Sequence, residues 1–484
     1  MTIGQRLRRG ISFSELGLGL LFVGFVARAL TISASADTYW HLRTGADILR
    51  TGAVPRVESY SFTAVGGPWR NHEWLWEPLA YVCYKAGGMP LLTICSGAFV
   101  VAGLALIVRL MKGPPWTRFA LLLLAVPLSM PLWALRPHVV TLAAIPLLLT
   151  LIVRGSLWPI PPLFLIWVNI HAGAALGGVL LGVATVLALL RWRLTGQAED
   201  RRRALGLAVV LPLAAAACLV TPFGTGIVHF LGDSMVRIRA VGIGEWQPTG
   251  LGDQYGIYFW LIAVAFLVLI GVRWRALRAD GPASGWADWV IVASALTLFP
   301  PAILAVRNAG LFVMLALPAA SRLLPPELGL RLRARSARPP GVDHPIANLA
   351  LLATASLAAL IFVGWSYRTR ADALGWRPID ERALAAIRAC DGPLYNQYDE
   401  GGYLIWFLPD RPVFVDNRQD PYPVEHMRAQ LDVQWEAAPY RPLFERWKIR
   451  CAFLPVTSST IGALDRDGWT TRYRDDRFVV LSAP

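Results

Sequence analysis

Asp37-Thr38-Tyr39-Trp40-His41-Leu42-Arg43 stands directly behind the first long hydrophobic segment of the chain, residues 14–34. An apolar run of about 20 residues is long enough to cross a bilayer. The residues that end it are an acid, two aromatics, a histidine and an arginine. Ionisable groups at a membrane boundary are costly to keep unless they bind or react with something. The stretch therefore reads as the first outer segment of a multi-pass membrane protein, with Asp37 as the leading candidate for a catalytic residue.

Composition agrees with that class. Of 484 residues, 55% are hydrophobic and only 16% charged, with 20 tryptophans, whereas soluble domains carry about 25% charged residues. The net charge of +14 is almost all arginine, since Lys85, Lys112 and Lys448 are the lysines. The arginines fall in short clusters between apolar spans, where topology accounts for them better than nucleic acid does. Spans are expected at 14–34, 90–110, 118–135, 172–190, 205–222, 256–272, 287–306, 308–323 and 347–366. Two shorter, proline-broken ones at 138–153 and 157–170 make about 11 transmembrane helices.

Orientation follows from the basic loops. Arg6 to Arg9, Arg109 to Arg118, Arg154, Arg191 to Arg203, Arg273 to Arg278 and Arg322 to Arg338 lie on alternate loops. The positive-inside rule places those in the cytoplasm, and residues 35–78 outside. An odd number of spans then leaves 367–484 outside as well. Ala34-Ser35-Ala36 resembles a signal-peptidase site, but the apolar region before it is long and contains Arg28. Either reading leaves Asp37 outside.

The expected division is a transmembrane domain, 1–366, with a first outer loop at 35–78, and an extracytoplasmic soluble α/β domain, 367–484. In the tail, helices are expected at Ile379 to Ala389, Glu425 to Ala437 and Pro442 to Lys448. Strands are expected at Pro393 to Tyr398, Pro412 to Asp416, Arg450 to Pro455 and Phe478 to Ser482, in a mostly parallel sheet. Cys390 and Cys451 lie at strand edges; an oxidising compartment permits a disulfide, which spacing alone does not establish. No Cys/His metal spacing, phosphate-cradling glycine motif or serine-nucleophile signature occurs.

The polar chemistry collects on the outer side. His41, His72, His138, His171, His229 and His426 fall there, and only His344 does not. Arg136, Asn169, Glu245 and Arg307 sit at or near outer span ends. Each has a plainer reading. Asp37 could cap the following helix; Trp40 and His41 could anchor at the interface. Asn71-His72-Glu73-Trp74 could open an amphipathic helix, and Arg136 could snorkel. Asn169 and His171 could satisfy backbone at a broken helix, Glu245 could be a loop acid, and Arg307 a hairpin charge. Their common sidedness favours a site.

These residues resemble a family. Asp37-Thr38-Tyr39-Trp40-His41-Leu42-Arg43-Thr44-Gly45, Gly52-Ala53-Val54-Pro55 and Trp69-Arg70-Asn71-His72-Glu73-Trp74-Leu75 are similar to the first outer loop of bacterial multi-pass proteins of the GT-C glycosyltransferase superfamily. The likeness continues through Arg136-Pro137-His138, Trp167-Val168-Asn169-Ile170-His171 and Glu245-Trp246-Gln247-Pro248. It reaches the tail at Asn396-Gln397-Tyr398, Gly401-Gly402-Tyr403-Leu404-Ile405-Trp406 and Val415-Asp416-Asn417-Arg418, motifs to which no role attaches.

The resemblance implies transfer of a sugar from a polyprenyl-phosphate-linked donor, outside the bacterial cytoplasmic (inner) membrane, to a lipid, glycan or protein acceptor. It gives Asp37 the place of the essential acid. Many relatives carry a second acid beside the first; here Thr38 stands there, so a second carboxylate would come from Glu73 or Glu245. A divalent metal is left open. With a phosphate leaving group, one base toward the acceptor can suffice, and the departing phosphate calls for donors and positive charge. His41, Arg43, His72, Glu73, Arg136, His138, Asn169, His171, Glu245 and Arg307 are the substrate-binding candidates. A lipid or glycan transporter would place its charges at mid-membrane and often shows repeated halves. A non-catalytic scaffold in polysaccharide assembly would lack a working acid.

Overall fold

The computed structural model describes residues 10–280, 285–324, 344–436 and 438–484. The expected arginine clusters at 6–9 and 331–338 lie outside them. The chain is mostly helical and divides into two compact units. One comprises Met1–Ile32, Thr93–Val220 and Gly244–Arg370; the other comprises Ser33–Leu92, Thr221–Ile243 and Ala371–Pro484.

Each expected span coincides with a helix. Among the described residues, six helices are long and apolar enough to cross a membrane: Trp76–Leu110, Pro115–Leu132, Ala174–Thr195, Gln254–Arg273, Trp286–Leu304 and Pro345–Thr369. Val139–Arg154 and Ile160–Ile170 are shorter apolar helices. In the first unit, Ala174–Thr195 packs against Ala198–Ala217, and Trp286–Leu304 against Ala309–Leu323. Phe13–Ala29 packs against Pro345–Thr369. The last of these has only 6% of its apolar window buried, and Leu351, Leu357, Leu360 and Ile361 stand exposed on it. A leucine-rich helix bare of cover is stable in lipid and not in water. The chain is a multi-pass membrane protein.

The second unit holds the soluble sheet. Its strands are β1 (Leu394–Asn396), β2 (Cys451–Pro455), β3 (Thr470–Arg474) and β4 (Phe478–Ser482), in the order β1-β2-β4-β3. β1 pairs parallel with β2, while β2–β4 and β3–β4 are antiparallel. The sheet is thus mixed, not mostly parallel. The β1 to β2 connection is long enough to cross over, and the β2 to β3 connection, through helix Thr460–Arg466, passes β4 to the far edge; β3 and β4 are joined by a tight turn, which dictates their antiparallel pairing. Pro412 to Asp416 is not a regular strand. Val413 instead forms an isolated parallel bridge with Ser61, so a segment of the loop 35–78 lies beside the tail. Cys390 and Cys451 form a disulfide across a Cα–Cα distance of 6.1 Å.

Candidate functional site

The residues around Asp37 belong to the second unit. Ser35 caps the helix Ala36–Thr51, and its N–H donates to Thr38 Oγ1 at 3.1 Å. Asp37 therefore sits within the first turn and is not the cap. A carboxylate there is favoured by the positive end of the helix dipole. Trp40 Nε1 donates to Asp37 Oδ1 at 3.0 Å. Thr38, Tyr39, Trp40, His41 and Leu42 are all buried, whereas Asp37 keeps partial exposure. In this turn the carboxylate is the reachable group.

One helical turn beyond His41, on the same face, is Gly45. A Cβ at that position would lie 2.1 Å from the Glu77 carbonyl oxygen, so glycine lets the helix press against the chain at Glu77. That contact fixes the surroundings of His41. Its Nδ1 lies 3.4 Å from Glu77 Oε1 and its Nε2 lies 3.6 Å from Glu73 Oε2. Asn71 Nδ2 donates to Glu77 Oε2 at 2.6 Å, and His72 Nε2 lies 3.8 Å from Glu73 Oε1. Glu73 thus serves two imidazoles, and His41 stands between two carboxylates. Among the described residues, no group of three or more His, Cys, Asp or Glu side chains has the arrangement of a metal site.

Arg43 turns toward the loop, donating from Nε to Asp47 Oδ2 at 2.9 Å. Tyr60 Oη donates to the same oxygen at 2.9 Å, and Arg50 to Oδ1 at 3.0 Å. Burial alone would raise the Asp47 carboxyl, but these hydrogen bonds hold it below its ordinary value.

The other candidates belong to the first unit. His138, which precedes the helix Val139–Arg154, places Nε2 3.0 Å from the Leu132 carbonyl. His171 ends the helix Ile160–Ile170 with extended backbone. Its Nδ1 accepts from Gly173 N–H at 3.0 Å and lies 2.8 Å from Thr141 Oγ1, and Trp167 Nε1 donates to that hydroxyl at 2.9 Å. The two imidazole rings, His138 and His171, are 6.1 Å apart. Arg136 and Arg307 both act electrostatically on His138. Asn169 Nδ2 donates to the Leu165 and Val220 carbonyls at 2.8 and 2.9 Å, which satisfies backbone at a helix end. Arg307 Nη1 donates to Glu245 Oε1 at 3.0 Å, and its guanidinium lies 4.4 Å over Trp246. Two candidates that read separately as a loop acid and a hairpin charge are thus one ion pair.

Glu77 escaped the sequence reading because it stands at the head of an apolar run and in no motif. Its signal was the spacing from Asn71 and Glu73 across a single turn.

No family model matches the chain, and no curated protein matches it. Among solved structures it is similar to the oligosaccharyltransferase of Archaeoglobus fulgidus tethered with an acceptor peptide. The identity is 12%, over 90% of this chain and 68% of that one, with a TM-score of 0.53. The apo form of that enzyme gives 10% identity, 90% and 69% coverage and a TM-score of 0.50. ArnT from Cupriavidus metallidurans in the apo state is 13% identical over 96% of this chain and 97% of that one, with a TM-score of 0.48. At such identities the likeness is one of fold alone, shared with the Archaeoglobus fulgidus oligosaccharyltransferase.

Proposed function

We propose that the chain is a membrane glycosyltransferase that moves a sugar from a polyprenyl-phosphate-linked donor to an envelope acceptor, with Asp37 as the base. The observation that carries this is the state of Asp37: a partly exposed carboxylate, oriented by Trp40, in a turn whose next five residues are buried. It follows directly on the first membrane helix, where a lipid-borne donor presents its headgroup. The GT-C fold supports a transferase.

In the reaction, Asp37 takes the proton of the acceptor hydroxyl as its oxygen bonds to the anomeric carbon. The bond from that carbon to the phosphate oxygen breaks, and the polyprenyl phosphate leaves with the electron pair, inverting the centre. The departing phosphate calls for positive charge and hydrogen-bond donors. His41, Arg43, His72 and Glu73 are the candidate substrate contacts in the same unit as the base. The N-terminus is assigned to the cytoplasm and the tail to the extracytoplasmic side of the inner membrane. The Cys390–Cys451 disulfide suits that oxidising side.

The test uses purified protein in liposomes supplied with polyprenyl-phosphate sugars extracted from membranes, reading release of polyprenyl phosphate. Asp37→Asn should lower the rate at least about a thousandfold while thermal unfolding is unchanged. A variant that turned over at the wild-type rate would rule out Asp37 as the base.

A further inference from the structure

Two tail motifs have no part in the chemistry above: Gly401-Gly402-Tyr403 and Val415-Asp416-Asn417-Arg418. Both belong to the same unit as Asp37, and the first presses on its helix. A Cβ at Gly402 would lie 2.2 Å from the Ala36 carbonyl oxygen and 3.1 Å from Ala36 Cβ. Only glycine lets the helix Gly401–Phe407 touch the turn that carries Asp37. From the same short helix, Tyr403 and Phe407 pack on Tyr39, with ring centroids 5.5 and 5.0 Å apart.

The second motif reaches Asp37 through aromatic rings. Arg418 is buried. Its Nε and Nη2 donate to Asp416 Oδ1 and Oδ2 at 2.8 and 2.6 Å, and Nη1 lies 2.6 Å from Glu58 Oε2. Burial works against its charge, but Asp416 and Glu58 push the guanidinium well above its ordinary value. It is fixed as a cation, 4.6 Å over the Trp69 ring and 4.8 Å over Tyr60. Trp69 meets Trp40 edge to face at 6.4 Å, and Trp40 holds the Asp37 carboxylate. Glu58 and Trp69 come from the first outer loop, so Arg418 ties that loop to the tail.

We propose that the tail is a positioning element for Asp37, with Gly402 seating the backbone of its turn and Arg418 setting its carboxylate through Trp69 and Trp40. The inference rests on the reading of Asp37 as the base. Neither residue is catalytic; each acts through another. If the tail served stability alone, its variants would lower the amount of folded protein and leave the chemistry of the remainder intact.

Gly402→Ala is the sharper variant, because one methyl group forces the turn or the helix to retreat by about 1 Å, enough to cost up to a hundredfold in rate. In the full-length protein, in the liposome assay above, kcat should fall about 10- to 100-fold with KM within about twofold. A second readout does not depend on turnover. With cysteine introduced at position 37, a membrane-impermeant thiol reagent labels that site, and mass spectrometry of its peptide gives the rate. Adding Gly402→Ala should change that rate at least about threefold. Arg418→Lys, which keeps the charge and loses the two-pronged hold on Asp416, should act in the same direction. If Asp37→Asn remains active, the catalytic reading fails, yet labelling still decides the positioning. Unchanged labelling in both folded variants overturns the proposal, whatever happens to kcat.

Discussion

Glu400 offers a test of how the tail is held together. It precedes the glycine pair that seats the Asp37 turn and is only 7% exposed. Its Oε2 is a buried oxygen with no hydrogen-bond partner among the described residues. Burial, helped by the Asp399 carboxylate and opposed by a hydrogen bond from its own backbone, pushes the Glu400 carboxyl up to about 8 from 4.5. The folded tail therefore holds it protonated at neutral pH, while the unfolded chain ionises it. A raised folded value means that its contribution is fully present below pH 4.5 and is lost as the pH rises through 8. Integrating between those values gives a loss of about 2 kcal/mol from pH 6 to pH 8, out of a total of about 5 kcal/mol. Asp420, pushed up to about 7 by burial, slopes the same way. His426, pushed down to about 4 by burial among Phe414, Tyr422 and Trp447, slopes the other way, between pH 4 and 6.5. The comparison of wild type with Glu400→Gln isolates the one group, because glutamine keeps the shape and cannot ionise. Hydrogen exchange over peptides spanning 394–407 in the full-length protein, corrected for intrinsic rates, reads the opening free energy. Wild type should lose about 2 kcal/mol between pH 6 and 8 beyond what the variant loses. Parallel slopes in the two proteins would refute the reasoning.

Two further outcomes follow from the same unit. Trp40→Phe keeps the ring packing on His41 and Trp69 but removes the donor to Asp37 Oδ1; turnover should fall about tenfold, measured in the liposome assay, and an unaltered rate would free Asp37 from its assigned partner. The Cys390–Cys451 bridge closes a separation of 61 residues, for which the loss of chain entropy is worth about 4 kcal/mol. The double alanine variant should have its tail cleaved by protease at concentrations that spare wild type, with the helical unit intact; equal resistance would show that the sheet holds without the bridge.

The helices were legible because their signal is local. A run of about 20 apolar residues needs no partner to be recognised, and every expected span is a helix. The tail was legible in part. Its buried strands, Cys451–Pro455 and Phe478–Ser482, are continuous apolar runs. β3 was hidden because Thr470-Thr471-Arg472-Tyr473-Arg474 lies at the sheet edge with mostly exposed side chains. Helix Gly401–Phe407 was hidden behind two glycines, residues that weaken a helix and that tight packing demands. Least visible was the pairing of the first outer loop with the tail. Ser61 and Thr63 both donate to the Phe414 carbonyl, 353 and 351 residues away, and no periodicity carries information over that distance.

For the site, what the sequence marked was position and what it concealed was partnership. Thr38 read as a gap where a second acid was expected. In the fold that side chain accepts the Ser35 N–H and is 1% exposed, so a carboxylate there would be occupied with the helix start. The two replacements considered are also engaged: Glu73 lies between His41 and His72, and Glu245 with Arg307. An acid already shared with two imidazoles or a guanidinium is a weaker base toward an acceptor hydroxyl. On the reading proposed above the base is Asp37, whose carboxylate meets Trp40 and, behind it, Trp69 and Arg418.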